Sequence, residues 1–235
     1  MTEEEFDPRV RTRAIAEEFT SRGDATGWFD ALYKEAGGDN ERIPWADLEP
    51  NRFLREWAGE HGLEGNGRSA LVVGCGLGDD AGFLNEHGFD VTAFDISPTA
   101  VEWARRLHSQ TPIRFVTADL FDPPKEWYQA FDFVLEVYTI QPLPLEMRPK
   151  VIDAISNFVA LSGRLLVVTR GRGDDEQPDE LPWPLSRRDL VRFEQNGLKE
   201  VSFAEVPPEG DEQPVPRFVV EYVRPGAFNP AGRGA

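Results

Sequence analysis

Residues 71–97 read LVVGCGLGDDAGFLNEHGFDVTAFDIS, and this stretch decides the fold. A short apolar run enters Gly74-Cys75-Gly76-Leu77-Gly78; a helical segment follows, and a second apolar run ends at Asp95. Short unbroken apolar runs suit strands buried on both faces, as in a parallel sheet covered by helices. Glycines fit the first junction because a tight strand-to-helix turn needs backbone conformations that a Cβ disfavours, and because a ligand can then approach the chain closely. Strand, glycine turn, helix, strand and closing acid, in that order, describe the start of an α/β nucleotide-binding fold.

The same alternation continues outward. Strand-like runs fall at residues 70–74, 91–95, 113–120, 131–138 and 164–170, with helical segments between them. Ser97 before Pro98 supplies a capping residue and a first-turn proline, and Ala100, Trp103, Ala104 and Leu107 form an apolar stripe. Residues 145–161 predict a helix with Val151, Ile152, Ile155, Phe158 and Val159 on one face. Ser186 with Asp189 forms a capping-box pattern, and Gly197 stops the helix that follows. Runs at 201–206 and 218–223, joined by a Pro/Glu/Gly/Asp loop, predict an antiparallel hairpin at the sheet edge. Ahead of the sheet, Trp28, Leu32, Phe53, Leu54 and Trp57 mark helical segments. The expectation is a doubly wound, mostly parallel seven-stranded α/β sheet with this hairpin. It forms one domain over residues 1–235, with a helical cover (1–67), a core (68–224) and a loose tail (225–235).

Composition narrows the partners. The 235 residues carry a net charge of −17, and only four of the 25 basic residues are lysines, so a phosphate backbone would be repelled. No run approaches the ~18 apolar residues of a membrane span, and the acidic start MTEEEFDPRVRTR lacks the apolar core of a secretory signal. With a single cysteine, no internal disulfide is available. A small-molecule partner, no nucleic acid, no membrane, no metal and a cytoplasmic address are expected.

Gly76-x-Gly78-x-x-Ala81 also fits a dinucleotide pattern, in which a pyrophosphate sits at the N-terminus of the following helix. Asp79 and Asp80 occupy that turn, complement the helix dipole themselves and would repel a pyrophosphate. S-adenosylmethionine has no phosphate and is net cationic, so the acidic turn suits it. Asp95 can accept hydrogen bonds from both ribose hydroxyls, and Asp119, in TADLF, can meet the adenine amino group.

On these residues the sequence resembles the class I methyltransferase superfamily over roughly residues 68–170. The resemblance implies that Gly74, Gly76 and Gly78 wrap the methionine end of the donor. It also implies that Asp95 and Ile96 hold the ribose, and that Asp119 and Leu120 reach the adenine. Within the superfamily it looks most like the thiopurine S-methyltransferase and methyl-halide transferase branch. The shared features are Trp28, Pro44-Trp45, residues 131–143 followed by Met147-Arg148-Pro149, and residues 181–190. That likeness implies tryptophans flanking the donor, Trp28 and Trp45, and an acid–aromatic pair at the end of the fourth strand. Glu136 matches the acid, but the tyrosine comes one place later than in the branch, at Tyr138.

The reaction expected is methyl transfer to a small nucleophile, with a thiol, thiopurine-like or halide-like acceptor. Glu136 and Tyr138 are the pocket candidates, because ligands of open α/β sheets bind at the carboxyl ends of strands. Trp28 and Trp45 could cover a sulfonium. Arg170 and Arg172 could meet an anionic acceptor. His61, His87 and His108 read as surface residues, and Cys75 as a small filler. The alternatives are a nicotinamide-dependent oxidoreductase and a non-catalytic module that binds the donor.

Overall fold

The structure is a computed structural model, described here for residues 7–178, 181–208 and 215–226. The expected tail therefore lies almost wholly outside the described residues, as does the middle of the hairpin loop.

Seven strands form one sheet: β1 (Ser69–Val73), β2 (Asp90–Asp95), β3 (Arg114–Thr117), β4 (Phe131–Val137), β5 (Val159–Arg170), β6 (Lys199–Val206) and β7 (Arg217–Val223). Their order is β3-β2-β1-β4-β5-β7-β6. The first five strands are parallel, and β7 runs antiparallel between β5 and β6. The hairpin thus closes the sheet as expected, with β6 as its edge. Strand order reverses between β1 and β4, which opens a crevice at the carboxyl ends of those strands.

Alternation along the strands builds two cores. Ala70 and Val72 of β1 face one side, where Leu54 and Trp57 of α3 (Arg52–His61), Leu84 of α4 (Asp79–Glu86) and Val101 of α5 (Pro98–Leu107) pack. Leu71 and Val73 face the other, against Ile152 and Ile155 of α6 (Arg148–Ser156) and Phe193 of α7 (Arg187–Gln195). Each such large apolar side chain contributes about 1.5–3 kcal/mol relative to exposure. The expected caps form: Ser97 Oγ accepts the Ala100 amide at 3.0 Å, and Ser186 with Asp189 closes a capping box.

Several boundaries differ from expectation; β5, expected over 164–170, begins already at Val159. The helix predicted over 145–161 ends at Ser156, because the chain turns there to enter β5 at Val159, and the Phe158 carbonyl accepts the Phe131 amide at 3.1 Å. The strand predicted over 113–120 stops at Thr117, because Asp119 Oδ1 accepts the Phe121 amide at 2.8 Å and turns the chain.

The N-terminal cover holds α1 (Pro8–Ser21) and α2 (Gly27–Ala36) with α3. Ile15, Trp28, Leu32 and Tyr33 pack on Leu77 of the glycine turn and on Ala100 and Trp103 of α5. A polar hook fixes the contact: Asp30 Oδ1 accepts Ser97 Oγ–H at 2.7 Å and the Thr99 amide at 3.1 Å. Burial alone would raise the Asp30 carboxyl, but hydrogen bonds from Lys34, Ser97 and Thr99 hold it at about 2. Among the described residues, no helix is long and apolar enough to cross a membrane.

Candidate active site

The crevice between β1 and β4, roofed by the N-terminal cover, encloses a cavity of about 800 Å³. Ligand pockets span about 300–1,000 Å³, so the volume admits a nucleoside-sized donor with a small second molecule.

The glycine turn forms its floor. Gly74, Gly76 and Gly78 have φ of 60°, 52° and 91°, which L side chains rarely adopt. A Cβ on Gly74 would stand 2.6 Å from Thr139 Oγ1, and one on Gly76 3.0 Å from Tyr33 Oη. The turn is therefore a cradle that any side chain would obstruct. Gly76 N–H donates to Asp95 Oδ2 at 3.0 Å, and Ser97 N–H donates to Asp95 Oδ1 at 2.9 Å. Burial pushes the Asp95 carboxyl up despite these amides. Burial likewise raises Asp79, and raises Asp80 to about 6 against the pull of the Asn51 amide. Asp95 is buried and Asp79 and Asp80 are half-buried along the same cavity, an arrangement that favours a cation and disfavours a pyrophosphate.

Of the residues singled out from sequence, Trp28, Trp45, Gly74, Gly76, Asp95, Ile96, Asp119, Leu120 and Tyr138 line the cavity. Gly78 lies behind the turn, where a Cβ would meet Phe115 at 2.7 Å. The two tryptophans differ. Trp28 is 1% exposed with an unpartnered Nε1, and it packs in the cover; Trp45 is 39% exposed and donates from Nε1 to Tyr33 Oη at 2.8 Å.

Glu136 departs from expectation and does not line the cavity. It lies on the β4 face shared with Val134, away from Leu135, and is fully buried. Its Oε1 accepts the amides of Thr139 (2.6 Å) and Ile140 (3.1 Å), while Oε2 has no partner. Burial pushes this carboxyl up to about 7 against those amides. It braces the β4–α6 loop rather than facing a ligand. Tyr138 leaves the strand with φ 58°, which carries its ring to the cavity, where Arg217 Nε donates to its hydroxyl at 3.2 Å.

Further corrections concern the basic residues. Arg172 does not line the cavity; it pairs with Asp189 at 3.2 Å. His108 is not a surface residue. Its ring packs on Phe115 under the glycine turn, and its Nε2 is buried without a partner. Cys75 does line the cavity, but burial and then Asp95 push its thiol up, so it is no thiolate nucleophile.

Sequence reasoning missed Tyr33, Asp30 and Arg217. Tyr33 had a trace in the 3–4 spacing from Phe29 to Leu32 and Tyr33, which marks one helix face. Arg217 had none, because its place depends on the register of β7.

Among protein families, residues 70–163 match a family described as "Methyltransferase domain". No curated protein gives a significant match. Solved structures do. One comes from work on the conversion of a disulfide bond into a thioacetal group during echinomycin biosynthesis. It is 25% identical, covers 85% of this chain and 93% of its own, and has a TM-score of 0.66. The 1,6-didemethyltoxoflavin-N1-methyltransferase of Burkholderia thailandensis, solved with S-adenosylhomocysteine, is 17% identical over 94% and 91%, with a TM-score of 0.62. The [4+2]-cyclase SpnF is 16% identical over 85% and 95%, with a TM-score of 0.68. Likeness at 16–17% identity fixes the fold alone, and a cyclase on the same fold shows that fold does not choose the reaction. The domain match and the acidic, Cβ-free cradle add what the fold lacks.

The fold is the doubly wound α/β fold of methyltransferases such as that of Burkholderia thailandensis. The chain is a methyltransferase, its domain matched over residues 70–163.

Proposed function

We propose that the protein transfers a methyl group from S-adenosylmethionine to a small-molecule nucleophile, and that its thiol-like or halide-like acceptor needs no protein base. The observation that carries the donor reading is the Gly76–Asp95 unit in the cavity floor, flanked by Asp79 and Asp80. Bound there, the donor supplies a methyl on a sulfonium, already activated for displacement. Asp95 and Ile96 take the ribose, Asp119 and Leu120 the adenine, and the backbone of Gly74 and Gly76 the methionine end. Trp45 and Trp28 form the aromatic wall beside the sulfonium, where a ring face favours a cation.

The protein's share of catalysis is then to hold nucleophile and methyl carbon together and to exclude water. Glu136 takes no part in this contact, and among the described residues no carboxylate lines the β4 end of the cavity. A soft nucleophile, which attacks without losing a proton in the same step, fits that environment. The sequence resemblance to the thiopurine and methyl-halide branch supports the same acceptor class. Beyond this resemblance, we assign the whole chain to one domain with a cytoplasmic address.

Calorimetry with S-adenosylmethionine, S-adenosylhomocysteine and NADH tests the donor. Binding of the first two with none of NADH is expected; binding of NADH alone would replace this reading with an oxidoreductase. Turnover with thiols, halides and phenols then tests the acceptor, and donor binding without any turnover would favour a non-catalytic module.

A further inference from the structure

Gly78 and Gly82 lie one helical turn apart at the start of α4, and one side chain fills the space that both leave open. A Cβ on Gly78 would stand 3.1 Å from His108 Cδ2, and a Cβ on Gly82 would stand 3.0 Å from His108 Cε1. His108 follows α5, and Phe115 of β3 packs on its ring with centroids 5.6 Å apart. Nε2 is bonded to both of those ring carbons, so it points at the first turn of α4. There it is buried, with no hydrogen-bond partner among the described residues. A buried polar atom in that state is rare and calls for a reason.

Asp79 supplies one. It begins α4 between the two glycines, is half-buried, and lines the cavity, which His108 does not reach. Burial pushes its carboxyl up, and His108 is the strongest influence in the opposite direction. Nε2 and this carboxyl are not hydrogen-bonded, so the coupling runs through space, where a low dielectric keeps it strong. The other charged groups along this part of the cavity do not replace it. Asp80 on α4, Asp95 at the end of β2, and Asp47 and Glu49 ahead of α3 are acids. Of the two α3 arginines that line the cavity, Arg55 pairs with Glu49 at 3.9 Å and Arg52 lies over the Phe53 ring.

Resting on the methyl-donor reading above, we infer that His108 is a positioning residue that acts through Asp79, holding that carboxylate as an anion for the ammonium group of the donor. The ammonium belongs to the methionine end, which the adjoining Gly74 and Gly76 take. A protonated carboxyl would offer it no charge, and burial alone favours the protonated form. His108 offsets that penalty from behind the turn without touching the ligand. Gly78 and Gly82 let the imidazole come this close, since a side chain on either would displace it.

The test is calorimetry of the full-length protein with S-adenosylhomocysteine and with 5′-methylthioadenosine, which keeps the adenosine and the sulfur but has no ammonium group. His108→Phe keeps a ring against Phe115 and removes Nε2. His108→Asn, smaller and likewise without Nε2, carries the same test if the larger ring harms folding. Asp79→Asn is expected to weaken S-adenosylhomocysteine about tenfold, and the His108 variants about three- to tenfold. Neither change should alter the affinity for 5′-methylthioadenosine. Combined with Asp79→Asn, the His108 change should cost nothing further. Repeated across pH, S-adenosylhomocysteine binding should fall on acidification at a higher pH in the His108 variants than in the wild type, because burial then acts on Asp79 unopposed by the imidazole. Asp80, raised to about 6, titrates in every variant and cancels from that difference. Unchanged S-adenosylhomocysteine affinity in the Asp79 or His108 variants, or an equal loss for both ligands, overturns the inference. So does a His108 loss that persists in full beside Asp79→Asn, or an unmoved pH profile; His108 is then a packing residue under the turn. Wild-type protein that binds neither ligand overturns the donor reading, and the inference with it.

Discussion

The amide of Gly76 lies 3.0 Å from Asp95 Oδ2, so the turn that ends β1 and the acid that ends β2 form one hydrogen-bonded unit. Neighbouring parallel strands bring their carboxyl ends level, which makes this contact across 19 residues local in space. One carboxylate thereby shapes the cradle and faces the cavity.

Asp95→Ala should weaken S-adenosylhomocysteine binding by roughly 1.5–3 kcal/mol, the usual value of hydrogen bonds to a charged group. Calorimetry on a variant shown to be folded by circular dichroism checks it. Unchanged affinity would remove Asp95 from the ribose contact.

Gly76→Ala combines two costs. Its φ of 52° disfavours any side chain by about 1–2 kcal/mol, and the new Cβ would press on Tyr33 Oη at 3.0 Å. For a chain of this size, the melting temperature should fall by about 2–8 °C. Donor affinity should fall as well, because Tyr33 holds Trp45 at the cavity wall. A variant that melts and binds like the wild type would show that the turn is not the cradle described.

The sequence made much of this site readable because the signals are local. The glycines, Asp95 and the caps at Ser97 and Ser186 depend on neighbours within a few residues. Asp30 hooks onto Ser97 from 67 positions away, and no spacing rule reaches that far. Glu136 shows the opposite failure. Its position at a strand end was legible, but period-two alternation with Val134 puts it on the face opposite Leu135, and that parity decides what it touches. Tyr138 escapes alternation altogether through its positive φ, which sequence does not encode for a non-glycine residue.

Trp45 should discriminate between the donor and its demethylated product. The donor carries a sulfonium cation, the product a neutral sulfide, and an aromatic face attracts only the former by about 0.5–2 kcal/mol. Trp45→Ala should therefore weaken S-adenosylmethionine more than S-adenosylhomocysteine, by up to an order of magnitude. Competition binding with both ligands measures the ratio. An equal loss for both would make Trp45 a packing residue for Tyr33 rather than a partner of the sulfonium.

Glu136 should make stability fall as pH rises. Burial lifts its carboxyl from 4.5 to about 7, so between these values the folded state holds more protons than the unfolded one. The stabilisation is complete below about pH 4.5 and is lost as pH rises through 7, amounting to roughly 2–4 kcal/mol. Glu136→Gln keeps an oxygen for the amides of Thr139 and Ile140, and its NH2 replaces the unpartnered Oε2. The variant should match the wild type near pH 5 and exceed it at pH 8. Asp80, raised to about 6, titrates in the same range but does so in both proteins, so the difference between their urea-unfolding curves isolates position 136. If that difference does not vary with pH, Glu136 is ionised across the whole range, and its buried carboxylate is stabilised by something other than the two loop amides.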